Sequence, residues 1–532
     1  MDNSLPLQTK AGDGGRPDPP DSGDSIDESY DAVIVGSGLG GLTAASLLAA
    51  SGRSVLVVER HDRVGGYAHS FQRHSYRFDS AVHLIGGCAA TDDRDGGIVR
   101  RVIEAVGVAD DCDFVRVDPF FRAYYPDFCM DIPSGLDAFI QAHADRFPAE
   151  RDGILRLTKL CSDVRDETNR ASSSATATGS KGFAAAFPAL VRYHRATLAD
   201  VLDDYISDPK LKSVLSTCWP YAGLPPSRVS FLYWSAMLIS YIADGAYYCR
   251  GTFQRFAQAL AGAVTAGGGR VLLSSGVKAI TTDAEGVSGV VLDDDRRVRS
   301  RVVVSNADAR QTIEQLVGEQ HFPARYLRAH RRRRASISAF VVYIATDLAL
   351  EEHDLAHETF AFARWDHDAS FGGVERGATN WLSVTVPTLA DRSLAPSDQH
   401  LLTLTTLVAH DAISNWAMSK SQLVDEMVVR AQALVSELEG LSDHLIYCEG
   451  ASPFTMERYT SNSDGAIYGW ELSPGQVGAG RPANRTPVAG LYLAGHWAQP
   501  GGGVYGVVVS GVEAAAAVLD VDRDELFTRL SV

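Results

Sequence analysis

Two short, unbroken apolar runs, residues 31–35 and 54–58, flank a stretch of helix formers over residues 42–50 that stops at Gly52. Apolar runs without polar alternation predict strands covered on both faces. A glycine just past a run of helix formers predicts a helix end. The pattern therefore predicts a β-α-β unit. Residues 96–249 read mostly as helices, with a Ser/Ala/Thr/Gly segment at 171–182 predicted as a mobile loop. A helix is predicted over 257–266, closed by three glycines, then strands at 271–273, 287–292 and 298–304. Residues 311–454 mix strands, such as 337–344 and 401–408, with a long amphipathic helix near 420–438. The chain returns to a strand at 490–494 and a helix at 510–519. The most apolar stretch, 229–243, contains Ser, Tyr and Trp and reads as a buried helix or the wall of an apolar pocket.

Residues 1–29 are rich in Asp, Gly, Pro and Ser and are expected to be a disordered tail, with structure starting at Tyr30. At 532 residues the chain is long enough for several domains. Its net charge of −17 argues against a nucleic-acid partner. One basic island, Arg325 to Arg334, is either a solvated helix end or a docking patch for an anionic carrier protein or membrane surface. The seven cysteines form no CxxC pair and no metal-ligand spacing, which fits a reducing compartment. A basic region followed by an apolar run is missing from the start, and no apolar stretch is long enough to span a bilayer. The expectation is a cytoplasmic protein, with peripheral membrane contact left open.

Gly36, Gly38 and Gly41 spell GxGxxG between the first strand and the helix. Gly36 permits the tight turn, Gly38 lets backbone approach a pyrophosphate, and Gly41 lets helix and strand pack closely. The phosphates of a dinucleotide then meet free N–H groups at the positive helix end, with Ser37 and Gly40 in the same turn. Glu59 ends the second strand, where a carboxylate accepts hydrogen bonds from ribose hydroxyls. A second GxGxxG after a strand is absent, so a separate nicotinamide domain is not expected.

Arg60 to Gly66, with its double glycine Gly65 and Gly66, resembles the motif that follows the ribose acid in the amine oxidase and phytoene desaturase superfamily of flavoproteins. The end of the chain carries the same resemblance: Gly495, then Gly501 to Gly503, Val504, Tyr505 and Gly506, then Ser510 and Gly511. So does a central stretch through Tyr248, Gly267, Val277 and residues 302–308. Within the superfamily the chain is most similar to the phytoene desaturase, carotenoid isomerase and retinol saturase branch. Phe78, Asp79 and His83 resemble its FDxGxH segment, and Pro225, Pro226, Glu457, Tyr459, Gly465 and Gly469 match further on. Ala81 departs from the pattern by standing where the branch has glycine.

The resemblance implies an α/β fold: a Rossmann-like FAD-binding domain with a parallel sheet and an inserted mixed α+β substrate domain. It assigns 30–95, 250–310 and 455–532 to FAD, and 96–249 and 311–454 to substrate. It implies an FAD cofactor near Arg60, Gly65 and Gly66, with Val277 at the adenine and Gly495, Gly503 and Val504 at the flavin ring. The implied reaction is hydride transfer between flavin N5 and a carbon of a conjugated polyene or isoprenoid, read as desaturation, saturation or cis–trans isomerisation. His83, Tyr505 and His496 are the candidate catalytic residues, each equally open to a packing role. Glu471 is a further base candidate, and Arg250 either holds phosphate or pairs with a carboxylate. Two alternatives stay open: a flavin amine oxidase, and a non-catalytic prenyl-binding escort protein of the same fold.

Overall fold

A computed structural model describes residues 28–89, 97–172, 180–350, 353–378 and 380–531. The expected tail lies outside these residues except at its end, where the prediction is corrected. Glu28–Ser29 is already a strand, pairing in parallel with Val298 and Arg299. The expected loop at 171–182 lies largely outside the described residues. Its edges are ordered: Arg151–Ser172 is a helix, and the Ser180 hydroxyl caps the helix Lys181–Ala186.

Ala32–Val35 and Val55–Val58 are strands joined by the helix Leu39–Ala50, as the apolar rhythm predicts. They sit in a five-stranded, all-parallel sheet in the order Arg270–Leu272, Val55–Val58, Ala32–Val35, Val303–Ser305, Leu491–Leu493. Alternation along the strands divides the core. Ala32, Ile34, Val55 and Val57 face helices, while Val33, Val35, Leu56 and Val58 face a smaller, mixed sheet that supplies Ile280, Val290 and Leu292. The single strand expected at 298–304 is two. Arg297–Arg299 belongs to the small sheet and Val303–Ser305 to the parallel one, the chain crossing between layers at Ser300 to Val302.

The last long helix, Gly503–Leu519, begins seven residues before the expected 510 and packs on Leu39–Ala50. The approach is backbone to backbone. A Cβ on Gly511 would lie 2.4 Å from the Gly40 carbonyl oxygen and 2.6 Å from Thr43 Cβ. We expect Gly511→Leu to destabilise the protein by about 1–3 kcal/mol, as overpacking does. Thermal unfolding measures this, and an unchanged Tm would refute the contact.

A seven-stranded sheet forms the second layer system, in the order Leu445–Ala451, Ser338–Thr346, His400–Val408, Trp381–Thr385, Glu358–Phe362, Phe121–Tyr125, Phe128–Ile132. Residues 96–249 are mostly helical, as expected, but the last two strands, with Phe114–Val117 and Ala246–Cys249, were not foreseen there. The outer face of this sheet packs Phe340, Val342 and Leu404 on the helix Trp416–Leu434. Its inner face turns Val341, Phe360, Trp381 and Leu407 toward a cavity. The apolar stretch near 229–243 becomes the helix Phe231–Asp244, which is both buried helix and pocket wall. Trp234, Leu238 and Ile242 are buried, while Tyr233, Met237 and Tyr241, spaced four apart, line the cavity. Among the described residues no single helix is long and apolar enough to cross a membrane.

Candidate active site

The cavity has a volume of about 1410 Å³ and runs from the glycine turn at Gly36 to the inner face of the seven-stranded sheet. Ordinary small-molecule sites enclose about 300–1,000 Å³, so the space suits a large ligand or two ligands placed end to end.

Backbone forms the first end. Gly36 has φ +89°, a conformation that favours glycine. Gly38 precedes the helix Leu39–Ala50, leaving the first helical N–H groups without a side-chain cap. The Gly65 N–H donates to the Ser37 carbonyl at 2.9 Å, joining the double-glycine turn to the first one. The two distant ends of the chain also meet here: a Cβ on Gly40 would lie 2.7 Å from both Cα and N of Gly495. Glu59, 9 % exposed, accepts from the Ser37 N–H and hydroxyl through Oε2, both at 2.8 Å, and from the His61 N–H through Oε1 at 2.8 Å. Its carboxylate is thus fixed beside the glycine turn, with Arg60 and Val277 on the same part of the cavity wall.

Sequence reasoning passed over Asn306, which comes directly after the strand Val303–Ser305. Its amide lies 2.6 Å from where a Gly38 Cβ would be and 2.5 Å from a Gly495 Cβ. It is the side chain around which these glycines gather, and the available signal was its place in the 302–308 segment.

Gly501, Gly502 and Gly503 all have positive φ, at +75°, +67° and +62°. Three successive left-handed residues require glycine. They aim the N-terminus of Gly503–Leu519 at the cavity, where Gly503, Val504 and Tyr505 line the wall. Beneath them Arg481 is 1 % exposed and donates to the carbonyls of Ala498 at 3.1 Å, Tyr468 at 2.9 Å and Trp470 at 3.2 Å. Burial pushes its guanidinium down to about 9, so it stays cationic at neutral pH. A helix N-terminus therefore stands on the wall with a fixed positive charge behind the glycine turn, an arrangement suited to negative charge on a bound group.

The three candidate catalytic residues all reach the cavity, in different settings. His496 contacts Asn462 Oδ1 at 3.4 Å and is pushed down to about 3 by burial and by Arg481. It stays neutral at physiological pH. Tyr505 packs its ring against Gly87, 2.8 Å from where a Cβ would stand. His83 is one-fifth exposed. Its Nδ1–H donates to the Ala81 carbonyl at 3.0 Å, while Nε2 lies 3.2 Å from the Tyr221 hydroxyl and 3.5 Å from Glu358 Oε1. Tyr221 and Glu358 were not legible as site residues.

The remaining candidates lie elsewhere. Glu471 is ion-paired with Arg228 at 3.1 Å and Arg334 at 3.5 Å. Arg250 pairs with Asp113 at 3.4 Å and donates to the Ala390 carbonyl, which is the carboxylate-pairing alternative. The basic island spans the helix Ala324–Arg331 and the three arginines after it. Arg331 is paired with Glu319 and Arg334 with Glu471, while Arg325, Arg328 and Arg332 are exposed.

Comparison with known proteins agrees with this geometry. The family described as flavin containing amine oxidoreductase matches over residues 39–519. The chain is 27% identical to prolycopene isomerase 1, chloroplastic, of an Oncidium hybrid cultivar, across 93% of this chain and 85% of that one. It is 26% identical to the all-trans-retinol 13,14-reductase of Danio rerio, across 88% of this chain and 83% of that one. An oxidoreductase from Methanosarcina mazei superposes with a TM-score of 0.62 at 18% identity, covering 92% of this chain and 99% of that one. Cyclohexylamine oxidase from Brevibacterium oxydans superposes with a TM-score of 0.59 at 19% identity, covering 93% and 99%. These structures share the fold, with its parallel sheet and its mixed sheet.

Proposed function

The chain belongs to the flavin-containing amine oxidoreductase family, and on that premise we propose that it is an FAD-dependent oxidoreductase acting on carbon–carbon bonds of a conjugated polyene or isoprenoid. The observation that carries this reading is the single cavity joining a glycine cradle to an apolar sheet floor. FAD, when bound, supplies hydride chemistry at its ring. The chain supplies the rest. Gly36, Gly38 and Gly40 would admit the pyrophosphate of FAD, and Glu59 would hold its ribose. The helix N-terminus and Arg481 offset negative charge at the ring. Val341, Phe360, Trp381 and Leu407 on one side, and Met237 and Tyr241 on the other, hold an extended apolar chain and exclude water. His83 moves a proton at the substrate carbon. The relatives named for a prolycopene isomerase and a retinol reductase support a polyene over an amine. We also propose that Arg325, Arg328 and Arg332 dock an anionic carrier or lipid surface that delivers such a substrate.

Anaerobic mixing of the flavin-loaded protein with candidate polyenes tests the assignment. Bleaching of the flavin with a longer polyene chromophore marks desaturation, and a new isomer with unchanged flavin marks isomerisation. Peroxide formation with amines in air, and no change in any polyene, would overturn the reading in favour of an amine oxidase.

A further inference from the structure

We propose that Glu358 is a positioning residue for the proton half of the reaction, holding and recharging the His83 imidazole so that the two act as one proton carrier in the cavity wall. The inference rests on the polyene reading above and deepens it.

Glu358 opens the strand Glu358–Phe362 and is wholly buried. The register sets it opposite Thr385, whose hydroxyl donates to Glu358 Oε2 at 2.7 Å. Oε1 has no partner at strict hydrogen-bond geometry; it lies 3.5 Å from His83 Nε2, and the Tyr221 hydroxyl also interacts with this carboxyl. A buried carboxyl oxygen left so poorly satisfied is rare and costly. It calls for a reason beyond packing. The imidazole provides one. Because Nδ1–H is committed to the Ala81 carbonyl, Nε2 is the nitrogen that exchanges its proton, and Nε2 is the one facing Glu358 and Tyr221. His83 and Tyr221 line the cavity, and Glu358 stands behind them.

The other titratable groups packed here carry no charge at neutral pH. His357 donates from Nε2 to the His83 carbonyl at 3.3 Å and is held down to about 4 by burial. Tyr221 and Tyr241, in ring contact at 6.0 Å, are pushed up by burial. Burial likewise pushes the Glu358 carboxyl upward, favouring a proton kept within the pair.

The transfer is of a proton alone. The Nε2–H bond breaks and leaves its electron pair on nitrogen, and a C–H bond forms using an electron pair of the polyene carbon. The pair holds a single proton, so the Glu358 O–H supplies Nε2 before this step, and the carboxylate left behind takes its next proton from solvent water. The reverse sequence removes a proton from carbon. The accompanying two electrons travel as hydride, the share of the flavin.

Glu358→Gln keeps the shape and the Thr385 contact but cannot pass a proton. We expect kcat to fall about 100-fold, the lower end of what general acid–base catalysis contributes, with KM and flavin content unchanged. His83→Gln should fall by a similar factor, and the double variant no further, because residues acting as a unit are not additive. Full turnover in Glu358→Gln, or losses that multiply in the double variant, would overturn the inference while leaving the polyene reading intact. A second measurement needs no substrate. Infrared difference spectra of wild type against Glu358→Gln should show a protonated-carboxyl band that shifts in His83→Gln. A band absent, or unmoved by His83→Gln, would overturn the pairing even if wild type converted no polyene, the outcome that would sink the polyene reading.

Discussion

Gly38→Glu is expected to fold and to purify without flavin. A Cβ at this position meets the amide end of Asn306 at 2.6 Å, a flexible group that can turn aside. The residue precedes the helix Leu39–Ala50, where a carboxylate interacts favourably with the helix dipole, so folding is spared. The same carboxylate would occupy the space the resemblance and the turn geometry assign to the pyrophosphate. Two like charges about 4 Å apart at an effective dielectric of about 20 repel by about 4 kcal/mol, equivalent to roughly a thousandfold loss in affinity. The ratio of flavin to protein absorbance after purification measures this. Wild-type flavin content in Gly38→Glu would contradict the placement.

Met237→Asp is expected to do the opposite, keeping flavin and losing the substrate. Met237 is half-buried on the cavity face of Phe231–Asp244, between Tyr233 and Tyr241. With the cavity empty of substrate an aspartate there remains solvated, so the fold tolerates it. An apolar polyene would strip that water, and desolvating a carboxylate costs several kcal/mol. A loss of about 2.7 kcal/mol corresponds to a 100-fold fall in kcat/KM. Steady-state kinetics with the flavin-loaded variant checks this. An unchanged kcat/KM would place the substrate elsewhere.

The glycine cradle was legible because its geometry is local. Gly36, Gly38 and Glu59 lie within one β-α-β unit, and adjacent residues define the turn, the close approach and the carboxylate beside it. The C-terminal glycines were legible for the same reason, although the helix start was misplaced. Gly501 to Gly503 read as a loop, whereas they set the direction of a helix beginning at Gly503. The substrate end was less legible because long-range pairing builds it. Phe121–Tyr125 sits in the large sheet by pairing with Glu358–Phe362, far away in sequence. Its aromatic, Pro-punctuated sequence reads together with the helical stretches that follow it. Glu358 looks like an ordinary polar strand residue until the register buries it opposite Thr385 and beside His83. The run at 298–304 misled because its polar break, Arg299 to Arg301, reads through as strand, whereas the chain changes sheets there.

At the centre of the account is one cavity with two occupants, FAD against the glycine cradle and an apolar chain against the sheet floor. The most direct measurement is a titration of the flavin-loaded protein with a polyene, monitoring the flavin absorbance band and the flavin retained after filtration. The account predicts that the polyene perturbs the flavin band to saturation while all the flavin stays bound. Release of the flavin by the polyene, or binding that leaves its spectrum untouched, would contradict it.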